Sequence, residues 1–128
     1  QLRLIEVLLY QIEQTLKKSS TQSAQQQRFQ VLIRNVTKQL KLPWTVRSLA
    51  AELHMSEPQF YRLCKKETGN TPMKLITQAR MGYACYLLRY TNYSLEQIAD
   101  TVGYADSASF AHRLKQHYQL SPWRLRNH

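Results

Sequence analysis

One short pattern occurs twice in this chain, fifty residues apart, and restricts it to a fold built by duplication. The first copy is LAAELHMSEPQFYRLCKKETGNTPMKL, Leu49 to Leu75; the second is IADTVGYADSASFAHRLKQHYQLSPWRL, Ile98 to Leu125. Phe60, Arg62, Cys64, Lys65, Thr71, Pro72 and Leu75 recur as Phe110, His112, Leu114, Lys115, Ser121, Pro122 and Leu125. Upstream, Leu49, Ala50 and Leu53 recur as Ile98, Ala99 and Val102, so the second copy has one extra residue near Gly103 to Asp106. Two copies are too few for a solenoid, which needs more units.

Local signals turn each copy into two helices and a tight turn. Thr45 is an N-cap for Val46–Leu53, and Ser56 caps a helix running to about Thr68, where Gly69 stops it. Glu57 and Pro58 suit the first turn of that helix. Ser94 caps Leu95–Val102, Gly103 makes the turn, and Asp106 or Ser107 starts a helix to about Tyr118. A last short helix, Pro122–Arg126, closes the chain. Each pair is a helix-turn-helix unit. Between them Met73–Tyr90 reads as a long helix, with Thr71 as cap and Pro72 before it. Its apolar residues Ile76, Ala79, Tyr83, Tyr86, Leu87 and Tyr90, flanked by Leu75 and Met81, have helical spacing wide enough to pack on two sides. No strand-like alternation occurs, so the fold class is all-α: two helix-turn-helix subdomains joined by a long central helix, preceded by one amphipathic helix.

That first helix, Leu2–Lys17, carries Leu2, Ile5, Leu9, Ile12 and Leu16 at steps of three and four, with Leu4 and Leu8 beside them. So narrow a seam asks for a partner helix, either in an absent domain or in a second copy of the chain. Residues 1–18 are therefore expected to end a preceding domain or to form a dimer helix. Ser19–Gln27 is polar and reads as a linker, and residues 28–128 form the duplicated domain. A helix over Gln25–Leu42 is expected to end before Pro43. The chain opens without Met and inside an amphipathic pattern, as a fragment of a longer protein would.

Charge narrows the function. The chain carries 18 Lys+Arg against 8 Asp+Glu, a net +10, and the excess lies in residues 28–128. A small domain this basic points to a polyanion, nucleic acid or an anionic surface. No run approaches the roughly 20 apolar residues of a membrane span, and no secretory signal is visible, so a cytoplasmic location is expected. Cys64 and Cys85 occupy apolar helical positions without metal-ligand spacing and read as buried free thiols. Neither sits beside a positioned base, and there is no phosphate loop, so no enzyme, cofactor or metal is expected.

A helix-turn-helix places its second helix in the DNA major groove, and two such units can enter successive turns about 34 Å apart. The central helix, roughly 27 Å long at about 1.5 Å per residue, is of that scale. In the first unit Arg62 suits a bidentate pair with guanine and Gln59 one with adenine. Tyr61 can bond a phosphate or stack on a sugar or thymine methyl. Lys65, Lys66, Arg113 and Lys115 suit phosphates, while Ser107, Ser109 and His112 can reach base edges or phosphates, and Ala111 offers a methyl contact.

The pattern LAxxxxMSxxxFxRxCKKxTGxTPxxxIxxxR, followed by AxxLL, IA, GY, F and a final SP, resembles the AraC/XylS family of bacterial transcription regulators. The resemblance covers Phe29 to Arg126. It implies a domain of about seven helices and sequence-specific promoter binding, usually with activation through RNA polymerase. It places Pro58, Tyr61 and Arg62 at base-reading positions of the first recognition helix, and Ser107, Ala111 and His112 at those of the second. Arg80 matches a family arginine that makes either a structural ion pair or a DNA contact. The departures concentrate in the second copy. His112 stands where the family usually has arginine, Leu114 and Leu125 where it has aromatic residues, and Gln119 where it has glycine; Cys64 also replaces an aromatic residue. The first unit is therefore expected to dominate base reading and the second mainly to hold phosphates. The competing reading keeps the fold as a protein-interaction module, for example an anti-activator, without specific DNA binding.

Overall fold

The computed structural model describes residues 2–21 and 24–127, with side chains over 4–13 and 24–127. Within these lie eight helices and no strand: α1 (Leu2–Thr21), α2 (Ala24–Thr37), α3 (Val46–Glu52), α4 (Glu57–Thr68), α5 (Pro72–Tyr90), α6 (Leu95–Val102), α7 (Ser107–Tyr118) and α8 (Pro122–Asn127). Residues 1–31 and 32–128 form two compact units.

In the first unit, α1 continues past Lys17 to Thr21, and α2 opens at Ala24. The polar stretch 19–27 is therefore helical at both ends. Alanine and glutamine are good helix formers, so low hydrophobicity does not prevent it. Ile5, Leu9 and Ile12 of the expected seam are exposed, as are Leu4 and Leu8. The side chains of Leu2 and Leu16 lie outside the described residues.

The second unit holds both repeats. Its first helical stretch ends at Thr37, not near Leu42. Beyond it the chain tightens, Lys38 N–H donating to Asn35 O and Gln39 N–H to Val36 O, three residues back in place of four. Trp44 Nε1 donates to Gln39 O at 2.9 Å, and Arg80 donates to Leu40 O and Leu42 O. The next helices start where capping residues take up orphan N–H groups. Thr45 with Ser48, Ser56 with Gln59, and Ser94 with Gln97 each form reciprocal capping boxes. Asp106 and Thr71 cap α7 and α5 through side-chain oxygens.

The first repeat buries Leu49, Ala50 and Leu53 around α3 and Phe60, Leu63 and Cys64 from α4, and α4 in turn packs on α5. The second packs Ile98, Ala99, Val102, Phe110, Leu114 and Leu125 against Met81, Ala84, Leu87 and Leu88 of α5. The expected apolar face of α5 is thus corrected. Ile76 and Leu87 are buried as read, but Tyr83, Tyr86 and Tyr90 are exposed, and Met81, Ala84 and Leu88 take the inward places. α5 serves two cores from two of its sides, as its width of apolar spacing suggests, but those sides are not the ones its tyrosines occupy. Its tyrosines stack along the outside instead, Tyr86 and Tyr90 with ring centroids 5.1 Å apart, which keeps their hydroxyls in water.

Candidate nucleic-acid interface

In α4 the buried residues Phe60, Leu63 and Cys64 define the inward face. At about 100° per residue the opposite side carries Pro58, Arg62 and Lys65, with Tyr61 and Lys66 on its flanks. All five are exposed, as is Gln59. The structure thus collects every site residue expected on this helix along its outer surface. Gln59 has a second duty, since its Oε1 accepts from Ser56 N–H at 3.0 Å. A bidentate adenine pair needs both ends of the amide, so it would require Gln59 to release the cap. At the other end Thr68 Oγ1 donates to Cys64 O, and Gly69 closes the helix at φ 76. Burial raises the Cys64 thiol pKa, only partly offset by the Thr68 contact, so the thiol is a core group and a poor nucleophile. Cys85 is half-buried.

α7 is displayed differently. Phe110 and Leu114 are buried, and Ser107 and Ala111 are half-buried. Two of the three expected reading positions in this helix therefore sit at the edge of the core. His112, Arg113, Lys115 and Ser109 are exposed. Ser109 belongs to the cap: its N–H donates to Asp106 Oδ1 at 2.6 Å and its hydroxyl to Oδ2 at 3.2 Å. These bonds, the backbone one foremost, lower the Asp106 pKa. Tyr104 packs on Phe110 with ring centroids 5.6 Å apart. Burial raises its pKa, while the charges of Arg113 and Arg80 pull the other way.

One residue escaped the sequence reading. Gln116 lines two concavities, one with His112, Lys115 and Gln119, the other with Arg113, His117 and Lys74, Thr77 and Gln78 of α5. Helical spacing from Ser109 and His112 was the available signal, since 109, 112 and 116 step by three and four. Arg80, expected to make an ion pair or a DNA contact, instead donates to two backbone carbonyls. Among the described residues no group of three or more His, Cys, Asp or Glu is placed to hold a metal, and no helix is long and apolar enough to cross a membrane.

Residues 49–128 match a family model described as a helix-turn-helix domain. The chain is 35% identical over 80 residues to the HTH-type transcriptional regulator AlkR of Acinetobacter baylyi, covering 62% of this chain and 26% of that protein. It is 32% identical over 124 residues to an uncharacterized HTH-type transcriptional regulator of Haemophilus influenzae, covering 96% of this chain and 42% of the relative. The chain thus spans well under half the length of these curated relatives. Its fold matches the DNA-binding domain of AdpA, a global transcriptional factor solved with a target DNA, at a TM-score of 0.74 and 23% identity, over 78% of this chain and 90% of that one.

Proposed function

We propose a function from one premise: this chain belongs to the AraC/XylS family of helix-turn-helix transcription regulators. It is the sequence-specific DNA-binding part of such a regulator, and places α4 and α7 in successive major grooves of a promoter site. The observation that carries this reading is the outer surface of α4, where Arg62, Lys65 and Lys66 are exposed around Pro58 and Tyr61, opposite a closed apolar core. The relatives' names as transcription regulators and the DNA bound by AdpA support it.

In this reading Arg62 pairs with guanine, and Tyr61 and Pro58 make apolar and phosphate contacts. Lys65, Lys66, Arg113 and Lys115 hold phosphates. Gln59 contributes its NH₂ group, as its amide oxygen caps the helix. Ser107, Ser109, Ala111 and His112 contribute less base recognition, because two are partly buried and one is engaged by Asp106. The protein acts as an activator that contacts RNA polymerase. Residues 1–18 form a dimer helix or the end of a preceding domain, 19–27 the linker, and 28–128 the DNA-binding domain. The exposed Ile5, Leu9 and Ile12, in register with Leu2 and Leu16, favour pairing of two copies.

Selection of bound duplexes from a random pool at fixed, near-physiological salt tests this function. Enrichment of a site with a strong first patch and a weaker second one about one helical turn away is the expected result, and one patch alone would mean that α4 does all the base reading. Salt-sensitive binding without enrichment would mean that specificity depends on a further domain or a partner, and failure to bind would favour a protein-interaction module.

A further inference from the structure

The segment leading from α2 into the first module touches the second module as well. Leu40 is buried, and its carbonyl accepts from Arg80 Nε at 3.3 Å, while Leu42 O accepts from Arg80 Nη2 at 2.9 Å. Gly103, in the turn between α6 and α7, rests on the same group. A Cβ there would stand 2.5 Å from Leu40 O and 3.2 Å from both Nε and Nη2 of Arg80. Beside it, Lys41 Nζ meets Asp100 Oδ2 of α6 at 2.9 Å. One side chain from the middle of α5 thus binds the approach to one module where the turn of the other packs.

A guanidinium presents its donors in a rigid planar fork. Two of them on carbonyls two residues apart fix both the position and the rotation of that segment about α5. Burial lowers the Arg80 pKa, as expected for a cation held inside a joint.

We infer that Arg80, through Leu40 O and the close approach of Gly103, fixes the separation and twist between α4 and α7, and so selects the spacing of the two DNA patches. This rests on the two-module reading proposed above. Arg80 is a positioning residue: it acts on backbone and reads no base. One added base pair moves a patch by about 3.4 Å and about 35°. A rigid pair of modules can follow only by deforming the duplex, which costs free energy.

The test measures affinity for duplexes carrying the selected site with its two patches moved apart or together by one and two base pairs, and for duplexes with the first patch alone. Wild type is expected to lose about tenfold for one base pair of change, equivalent to about 1.4 kcal/mol. Arg80→Gln is expected to lose about tenfold at the preferred spacing, level the spacing profile to within about threefold, and keep single-patch affinity within about twofold. An equal loss on every duplex, single-patch ones included, overturns the inference in favour of a plain folding role. An unchanged spacing profile overturns it as well. If Arg80→Gln does not fold, Arg80→Lys, which keeps the charge but not the fork, is judged by the same criteria. Failure of the two-module reading shows separately, in wild type, as the absence of any preferred two-patch site.

Discussion

The two helix-turn-helix modules share a backbone plan but place their tolerances at opposite ends. In the first, the turn residue with positive φ is His54, at φ 55, and the recognition helix ends on Gly69. In the second, the turn residue is Gly103, at φ 97, and the recognition helix ends on Gln119, at φ 59. Glycine adopts such angles without strain, whereas other residues pay about 1 kcal/mol or more. The difference follows from what surrounds each position. His54 is exposed, so its side chain has room. Gly103 lies under Leu40 O and Arg80, where no side chain fits.

The recognition helices are also anchored differently. Leu63 is buried, while Arg113, fifty residues later, is exposed. Thr68 hydroxyl donates back to its own helix at Cys64 O, whereas Tyr118 hydroxyl donates to Met81 O of α5. α8 adds a further tie, with Arg126 donating to Tyr93 O. The second module is thus fastened to the central helix, and Ser107 and Ala111 of α7 are half-buried. The first leaves its outer surface open. Duplication kept the fold and anchored the two copies differently.

The largest effect should come from the turns. Gly103→Ala adds a Cβ against a backbone oxygen and demands an unfavourable φ, so it should cost on the order of 3 kcal/mol in urea unfolding. His54→Gly, at the matching place, should change stability by less than about 1 kcal/mol. Similar losses at both sites would break the comparison.

A smaller effect is expected at the helix ends. Gln119→Gly should raise stability by about 0.5–1 kcal/mol, net of the bond from Gln119 Nε2 to Gln116 O. Gly69→Ala should lower it by about 1 kcal/mol, from backbone strain alone, because no atom lies within 4 Å of the added Cβ. Thermal unfolding of the two variants should shift in opposite directions.

The smallest concerns acid. Asp106 caps α7 with a carboxylate whose pKa is lowered in the folded state from 3.8, whereas Ser56 caps α4 with a hydroxyl. A depressed folded-state pKa contributes stability that is present above the unfolded value and lost as pH falls through the folded one. Below pH 3.8, amide exchange at the start of α7 should therefore accelerate more than at the start of α4. Asp106→Asn, which retains a capping oxygen, should remove that difference.

Much of this organisation is legible in the sequence. The capping residues Thr45, Ser56, Thr71 and Ser94 announce helix starts because few other side chains satisfy the orphan N–H groups there. The repeat exposes the paired modules because both bury Phe, Leu and small residues at the same steps. What escaped depends on contacts distant in sequence. The segment after α2 is held by Arg80, about forty residues on, through Leu40 O and Leu42 O. The tyrosines of α5 count as apolar in any periodicity, yet two cores of different orientation leave them outside. At the candidate interface the residue types on α4 sufficed to place its outer face. On α7 the partial burial of Ser107 and Ala111 and the capping duty of Ser109 depend on packing that no local pattern encodes.

The central claim is that the first module reads bases and the second mainly grips phosphates. It is tested most directly by determining base preferences across the selected site for wild type, Arg62→Ala and His112→Ala at one salt concentration. The account predicts that Arg62→Ala loses about 1–3 kcal/mol and relaxes preference at one or two positions of the first patch. His112→Ala should lower affinity by less than about 1 kcal/mol and leave the preferences in place, as expected for a residue off the base edges. Equal losses, with preferences altered at as many positions in each patch, would contradict it.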